Sequence, residues 1–191
     1  MAWLLRSVFL ILAAFVVVCV IGFFLPGTQT IERSIEIDAY AEDVFPMLND
    51  LTSYALWSPL SEALLDAQIL YDGADEGVGQ TMVWQNGQGD QGFGSQEILQ
   101  SQPYEFVQTE LNLSGQTLTA THAIWPREDG EGVIVLTKSE TALGGFPYLS
   151  RVRSKLRSGS VNAEYDAALA RLKTICENSE APLNPLTDLR E

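Results

Sequence analysis

The chain has 191 residues, enough for one folded domain with an appended segment and too few for two full domains. Its formal net charge is −14, and all 25 acidic residues, with all but one of the 11 Lys and Arg, lie beyond residue 30. Such a balance argues against nucleic acid as a partner and against broad adhesion to anionic lipid, because both need clustered Lys and Arg. The acidity reads as a solubility device.

Residues 7–25 read SVFLILAAFVVVCVIGFFL, without a charge. At about 1.5 Å of rise per residue, a helix of this length spans a hydrocarbon core of roughly 30 Å. Pro26 and Gly27 end it. A cleaved signal peptide would have a shorter apolar core with small residues before the cut, where this chain has Phe23, Phe24 and Leu25. A lipoprotein signal would need a small residue before Cys19, which follows three valines. The expectation is an uncleaved anchor over residues 1–27. Arg6 precedes the span and Arg33 follows it among acids. The positive-inside tendency then puts the soluble domain on the periplasmic or outer side of a bacterial inner membrane. Cys19 in the span and Cys176 near the end cannot form a disulfide within the domain.

Beyond the anchor, residues 30–39 alternate Ile31, Arg33, Ile35 and Ile37 with polar residues, the period of a half-buried strand. Residues 41–51 (AEDVFPMLNDL) read as a short helix with acids in its first turn and a break or irregularity at Pro46. Residues 54–59 (YALWSP) read as a turn. Strands follow over 67–71, 80–85, 94–100, 104–113, 117–125 and 132–142, separated by Gly, Pro and Asp, as in an antiparallel meander. From 148 to 177 apolar residues recur at helical spacing, including Tyr165, Leu169, Leu172 and Cys176, with a break expected near Gly159. Residues 178–191 contain Pro182 and Pro185 without periodicity and read as a flexible tail. The fold class is therefore α+β: a curved antiparallel sheet of about seven strands covered by a long C-terminal helix.

This order resembles the START-like superfamily, in particular its polyketide cyclase/dehydrase (SRPBCC) branch. The strand RSIEI (33–37) precedes the short helix AEDVFPMLND (41–50) and then LWSP (56–59). YDGADEGVGQTMVW (71–84) is similar to the family's glycine-turn strand pair, and GFGSQEILQSQP (92–103) to its next hairpin. YDAALARLKTICE (165–177) resembles its closing helix. The resemblance covers roughly residues 28–177. It implies a helix-grip fold in which sheet and helix enclose an apolar cavity that takes lipids, sterols, polyketides or quinones. Catalytic residues are not shared across the group, so none is carried over.

Strand parity names the side chains that face the helix. Besides Leu113 and Ala120 they are Met82, Trp84, Ile98, Val107, Thr109, Leu111, Leu118, His122 and Ile124; these nine are taken with Trp57 and Phe146, placed at the rim of the mouth. These eleven form the expected ligand-binding set. His122 is the only histidine and the one candidate for proton transfer, paired with a carboxylate such as Glu97 or Glu140. Its plainer reading is a histidine hydrogen-bonded within the sheet or pointing to solvent. A zinc site needs three or four clustered N or S ligands and is not expected. GQGDQGFG (87–94) lacks the lysine and following helix of a phosphate loop, so no cofactor is expected. Lys138 and Glu140 share a face; Glu97 and Glu110 are expected in water. Arg151, Arg153, Lys155 and Arg157 form the one basic cluster, read as an ordinary solvated helix start in preference to a patch touching anionic lipid, because a helix spreads the four around its circumference.

The leading expectation is a membrane-tethered binding module for an apolar small molecule, lipid or polyketide-like. The alternatives are a cyclase-, dehydratase- or hydrolase-like enzyme in the same cavity and an envelope protein-interaction module. Protein partners are left open.

Overall fold

The structure, a computed structural model, describes residues 2–85, 93–113, 115–144 and 148–178. Phe146 and all but the first residue of the expected tail, 178–191, lie outside the described residues, as does the glycine-rich run up to residue 92.

Helix α1 (Ala2–Phe24) is exposed over nearly its whole surface, and within it Trp3–Phe24 is long and apolar enough to cross a membrane. β1 (Thr28–Ile37) alternates with period two, its isoleucines inward on the same face as Gln29 and Arg33 and the other polar residues outward. Two helices follow where one helix and a turn were expected. α2 (Ala41–Asn49) keeps its helical geometry through Pro46. α3 (Leu51–Trp57) takes in most of the expected turn. Asp50 starts it, accepting hydrogen bonds from the backbone N–H of Thr52 at 2.9 Å and from Ser53 Oγ at 3.1 Å. Leu51, Tyr54 and Trp57 then fall on one buried face, and that burial holds seven residues helical. A single turn, α4 (Ser61–Leu64), leads into the meander.

The strands are β2 (Gln68–Gly73), β3 (Gln80–Gln85), β4 (Phe93–Gln102), β5 (Phe106–Leu113), β6 (Gln116–Pro126) and β7 (Val133–Ala142). They form one antiparallel sheet in the order β1-β7-β6-β5-β4-β3-β2. A bulge between Ile98 and Gln100 bends β4. Gly94 is required by packing: a Cβ there would meet the Trp84 ring at 2.3 Å and the Asn112 carbonyl at 2.8 Å.

α5 (Leu149–Asn178) runs unbroken through Gly159 and lies along β1. Gly159 is exposed, so its helical neighbours on either side keep it in line. The core lies between α2, α3, the C-terminal half of α5 and the concave face of the sheet. At this end Lys173 donates to the Glu36 carbonyl at 2.7 Å, and Glu177 accepts from the Asp38 N–H at 2.8 Å.

Candidate functional site in the concave face

Parity delivers the inner face as expected from the sequence. Met82, Trp84, Ile98, Val107, Thr109 and His122 are at most 1% exposed. Leu111 and Ile124 are buried, and Leu118 is half-buried against the same core. Trp57 does not rim a mouth. It is 1% exposed and packs over the sheet, its indole N–H donating to the Met47 carbonyl at 2.8 Å. Its place on α3, which was read as a turn, carries it inward. Arg171 of α5 secures this position by donating to the Trp57 and Ser58 carbonyls at 3.3 and 2.8 Å.

Coverage differs between the two ends of the face. Where Ile37, Val107, Val133 and Val135 meet α2, α3 and the end of α5, most inward side chains are buried, with Ile35 half-buried and Pro126 exposed at the margin. Toward the α1 junction, the inward residues Gln29, Ile31, Leu113, Leu118 and Thr141 are only half-buried. The register places these five at the same end of the sheet as Thr28, which follows α1.

A polar band crosses this otherwise apolar face. Gln96 Nε2 on β4 donates to Thr109 Oγ1 on β5 at 3.1 Å. His122 on β6 stands directly opposite Thr137 on β7, with Nδ1 and Oγ1 2.9 Å apart. Ser139 Oγ reaches the Tyr165 hydroxyl of α5 at 2.8 Å. The four sheet residues Gln96, Thr109, His122 and Thr137, together with Ser139, are all at most 2% exposed. Tyr54 and Trp57 wall the imidazole, with ring centroids 5.6 and 5.5 Å from it and 4.8 Å from each other. Among the described residues His122 Nε2 has no hydrogen-bond partner, and Gln96 Oε1 has none at hydrogen-bond distance.

Burial pushes the His122 imidazole down to about 4, so it is neutral at pH 7. Burial also raises the Tyr54 phenol above its ordinary value, with the Tyr165 hydroxyl acting in the same direction and Gln96 opposing. Tyr165 is raised by burial, against its hydrogen bond to Ser139. A neutral imidazole with one nitrogen committed to Thr137 can offer the other to a polar group brought among these rings.

The pairing of His122 with Glu97 or Glu140 is not formed. Neighbouring residues on a strand face opposite sides, and both glutamates stand on the convex face in water. Glu97 lies across from Glu110, and Glu140 pairs with Lys138 at 2.8 Å. Among the described residues the buried polar ones are Ser58, Gln80, Gln96, Thr109, His122, Thr137 and Ser139, without a carboxylate. No cluster of three or more His, Cys, Asp or Glu suited to a metal ion is found among the described residues.

Sequence reasoning passed over Tyr54, Gln96, Thr137, Ser139 and Tyr165. Parity would have found Gln96 beside Ile98, and Thr137 and Ser139 in step with Val133 and Val135.

The fold has counterparts among solved structures. Truncated norcoclaurine synthase from Thalictrum flavum aligns at 13% identity and TM-score 0.58, over 80% of this chain and 96% of that one. An uncharacterised protein from Rhizobium leguminosarum aligns at 16% identity and TM-score 0.55, over 78% and 95%. A protein from Chromobacterium violaceum aligns at 16% identity and TM-score 0.52, over 80% and 99%. At these identities the likeness concerns the fold alone. A comparison with curated protein sequences gives no significant match. The model of the polyketide cyclase/dehydrase and lipid transport family matches residues 28–177, the whole sheet and nearly all of α5, and the chain therefore belongs to that family.

Proposed function

We propose that this chain is a membrane-tethered binding module that takes an apolar small molecule, lipid or polyketide-like, into the helix grip. Residues 1–27 are its anchor, 28–177 its binding domain and 178–191 a tail. The observation that carries the reading is the buried polar band on an apolar concave face, with His122 Nε2 unpartnered among the described residues. A small-molecule site of this kind is mostly apolar, with a few polar groups that fix orientation. Family membership and the half-buried end of the face support the same reading. The ligand enters from the α1 end and displaces side chains there, because the opposite end is more fully covered. Among the described residues no carboxylate is buried beside His122, which supports binding over a reaction through that pair.

Native mass spectrometry of the full chain, released in detergent from its own host, tests this. The expected result is a co-purifying apolar molecule that is lost in the His122→Leu variant. A chain that carries nothing, and whose imidazole resonances do not move on titration with lipids or aromatic polyketides, would sink the proposal.

A further inference from the structure

The first turns of α5 are amphipathic in the wrong sense for a soluble domain. Their inner side, toward β1 and the α1 junction, is polar. Arg151 Nη1 donates to the Leu25 carbonyl at 3.2 Å, and Ser154 Oγ donates to Gln29 Oε1 at 2.5 Å. Their outer side carries Leu149 and Leu156, with Val152 half-buried at its edge; the three are spaced i, i+3 and i+7 and so lie along one helical face. Leu156 is 82% exposed and Leu149 47%. At about 100° per residue, Arg153 and Arg157 flank this stripe on one side and Lys155 on the other. All three are exposed, and residues 148–163 contain no acid in a chain of net charge −14. Among the described residues Lys155 and Arg157 have no acidic partner.

What covers this face follows from where the helix starts. Tyr148, at φ 61°, packs against α1: its ring meets Phe23 edge-on at 5.9 Å and lies under the Arg151 guanidinium at 4.7 Å. A Cβ on Gly22 would collide with Tyr148, so only glycine lets the two segments approach this closely. The start of α5 is thereby fixed at the last turn of the apolar helix.

We propose that the outer face of residues 149–157 lies in the headgroup region of the bilayer that holds α1. Leu149, Val152 and Leu156 enter the acyl boundary, and Arg153, Lys155 and Arg157 meet anionic lipid. An apolar stripe bordered by cations is the pattern of helices that lie in this zone. The acidic remainder of the domain is kept off the membrane, and the less covered end of the grip is turned toward it. The inference rests on reading α1 as the anchor.

Depth measurement by spin-label power saturation tests it on the full chain in phosphatidylcholine–phosphatidylglycerol vesicles. Labels are attached singly at Phe15→Cys, Leu149→Cys, Leu156→Cys and Glu62→Cys in a Cys19→Ala background, Cys176 being buried. The expected result is a deep label at 15, labels at 149 and 156 about 5–10 Å into the boundary, and a label at 62 in water. A deep label at 15 with 149 and 156 in water would overturn this inference and leave the anchor intact. A label at 15 in water would remove the anchor reading, and this inference with it. Lys155→Glu with Arg157→Glu is expected to lift the label at 156 toward water, and an unchanged depth would refute the role of the cations.

Discussion

Acid should weaken this fold through one residue before its carboxylates titrate. His122 is 1% exposed, and burial holds its imidazole at about 4 against an ordinary value of 6.5. The folded state therefore keeps His122 neutral while the unfolded chain takes up a proton as pH falls through 6.5. Stability from this group is full above 6.5, declines between 6.5 and about 4, and levels off below. The slope approaches 1.36 kcal/mol per pH unit, so the loss from pH 7 to 5 is about 2 kcal/mol. Asp50 and Glu177 have carboxyls held below their ordinary values. Their contributions fade at lower pH and are common to both proteins compared. The assay is urea unfolding of the full chain in micelles at pH 7, 6 and 5, natural sequence against His122→Asn, with the single imidazole followed by NMR. The difference between the two proteins should shrink or reverse by about 2 kcal/mol across this range. Parallel pH profiles, or an imidazole that titrates near 6.5 in the folded protein, would refute the reasoning.

Asp50→Ala removes the acceptor for the Thr52 N–H, the Ser53 hydroxyl and Gln80 Nε2, and should cost about 1–2 kcal/mol in urea unfolding. Gly94→Ala drives a methyl into the Trp84 ring and should cost about 1–3 kcal/mol, with a changed near-ultraviolet dichroism spectrum. Gly159→Ala fills open space in an unbroken helix and should stabilise by roughly 0.5–1 kcal/mol. His122→Leu with Thr137→Val replaces a facing polar pair by apolar side chains of similar size. Stability at pH 7 should stay within about 1 kcal/mol or rise, while retention of the co-purifying molecule is lost.

Strand positions and facing were legible because one face of this sheet is buried and the other wet, so most strands carry a period-two signal, the exposed edge strand β2 being the exception. The pattern in TLTATHAI put His122 inward without any contact information. The helix that carries Trp57 was not legible. Seven residues hold too few turns to show a period, and the cap at Asp50 resembles any turn aspartate. The opposite error fell at Gly159, where a glycine suggested a break that the flanking helix overrides. Polar inner positions were hidden for a more general reason. Hydropathy assigns Gln96, Thr137 and Ser139 to water, and only the register shows that each faces a partner across the sheet or on α5.

Those pairs bear on what the concave face is for. A buried imidazole nitrogen without a partner costs about 1–3 kcal/mol, and the whole fold is worth roughly 5–15. Val and Leu at these positions would fill the same space without that cost. Three polar pairs in one band, from β4 across to α5, are hard to attribute to packing alone. Hydrogen bonding fixes the rotamers of Thr109, His122, Thr137 and Ser139, so the free nitrogen of His122 points in one direction. A site held this way lowers the ordering cost of taking up a ligand with a single polar group. The same band lies below the less covered end of the sheet, on the side where α1 and the leucine stripe of α5 meet. A molecule leaving the bilayer there would present its polar group last, or arrive with its polar group leading. His122 lies deeper from the α1 junction than Leu113 and Leu118, so the proposed binding reading favours the second order, polar group first and apolar tail trailing toward those leucines.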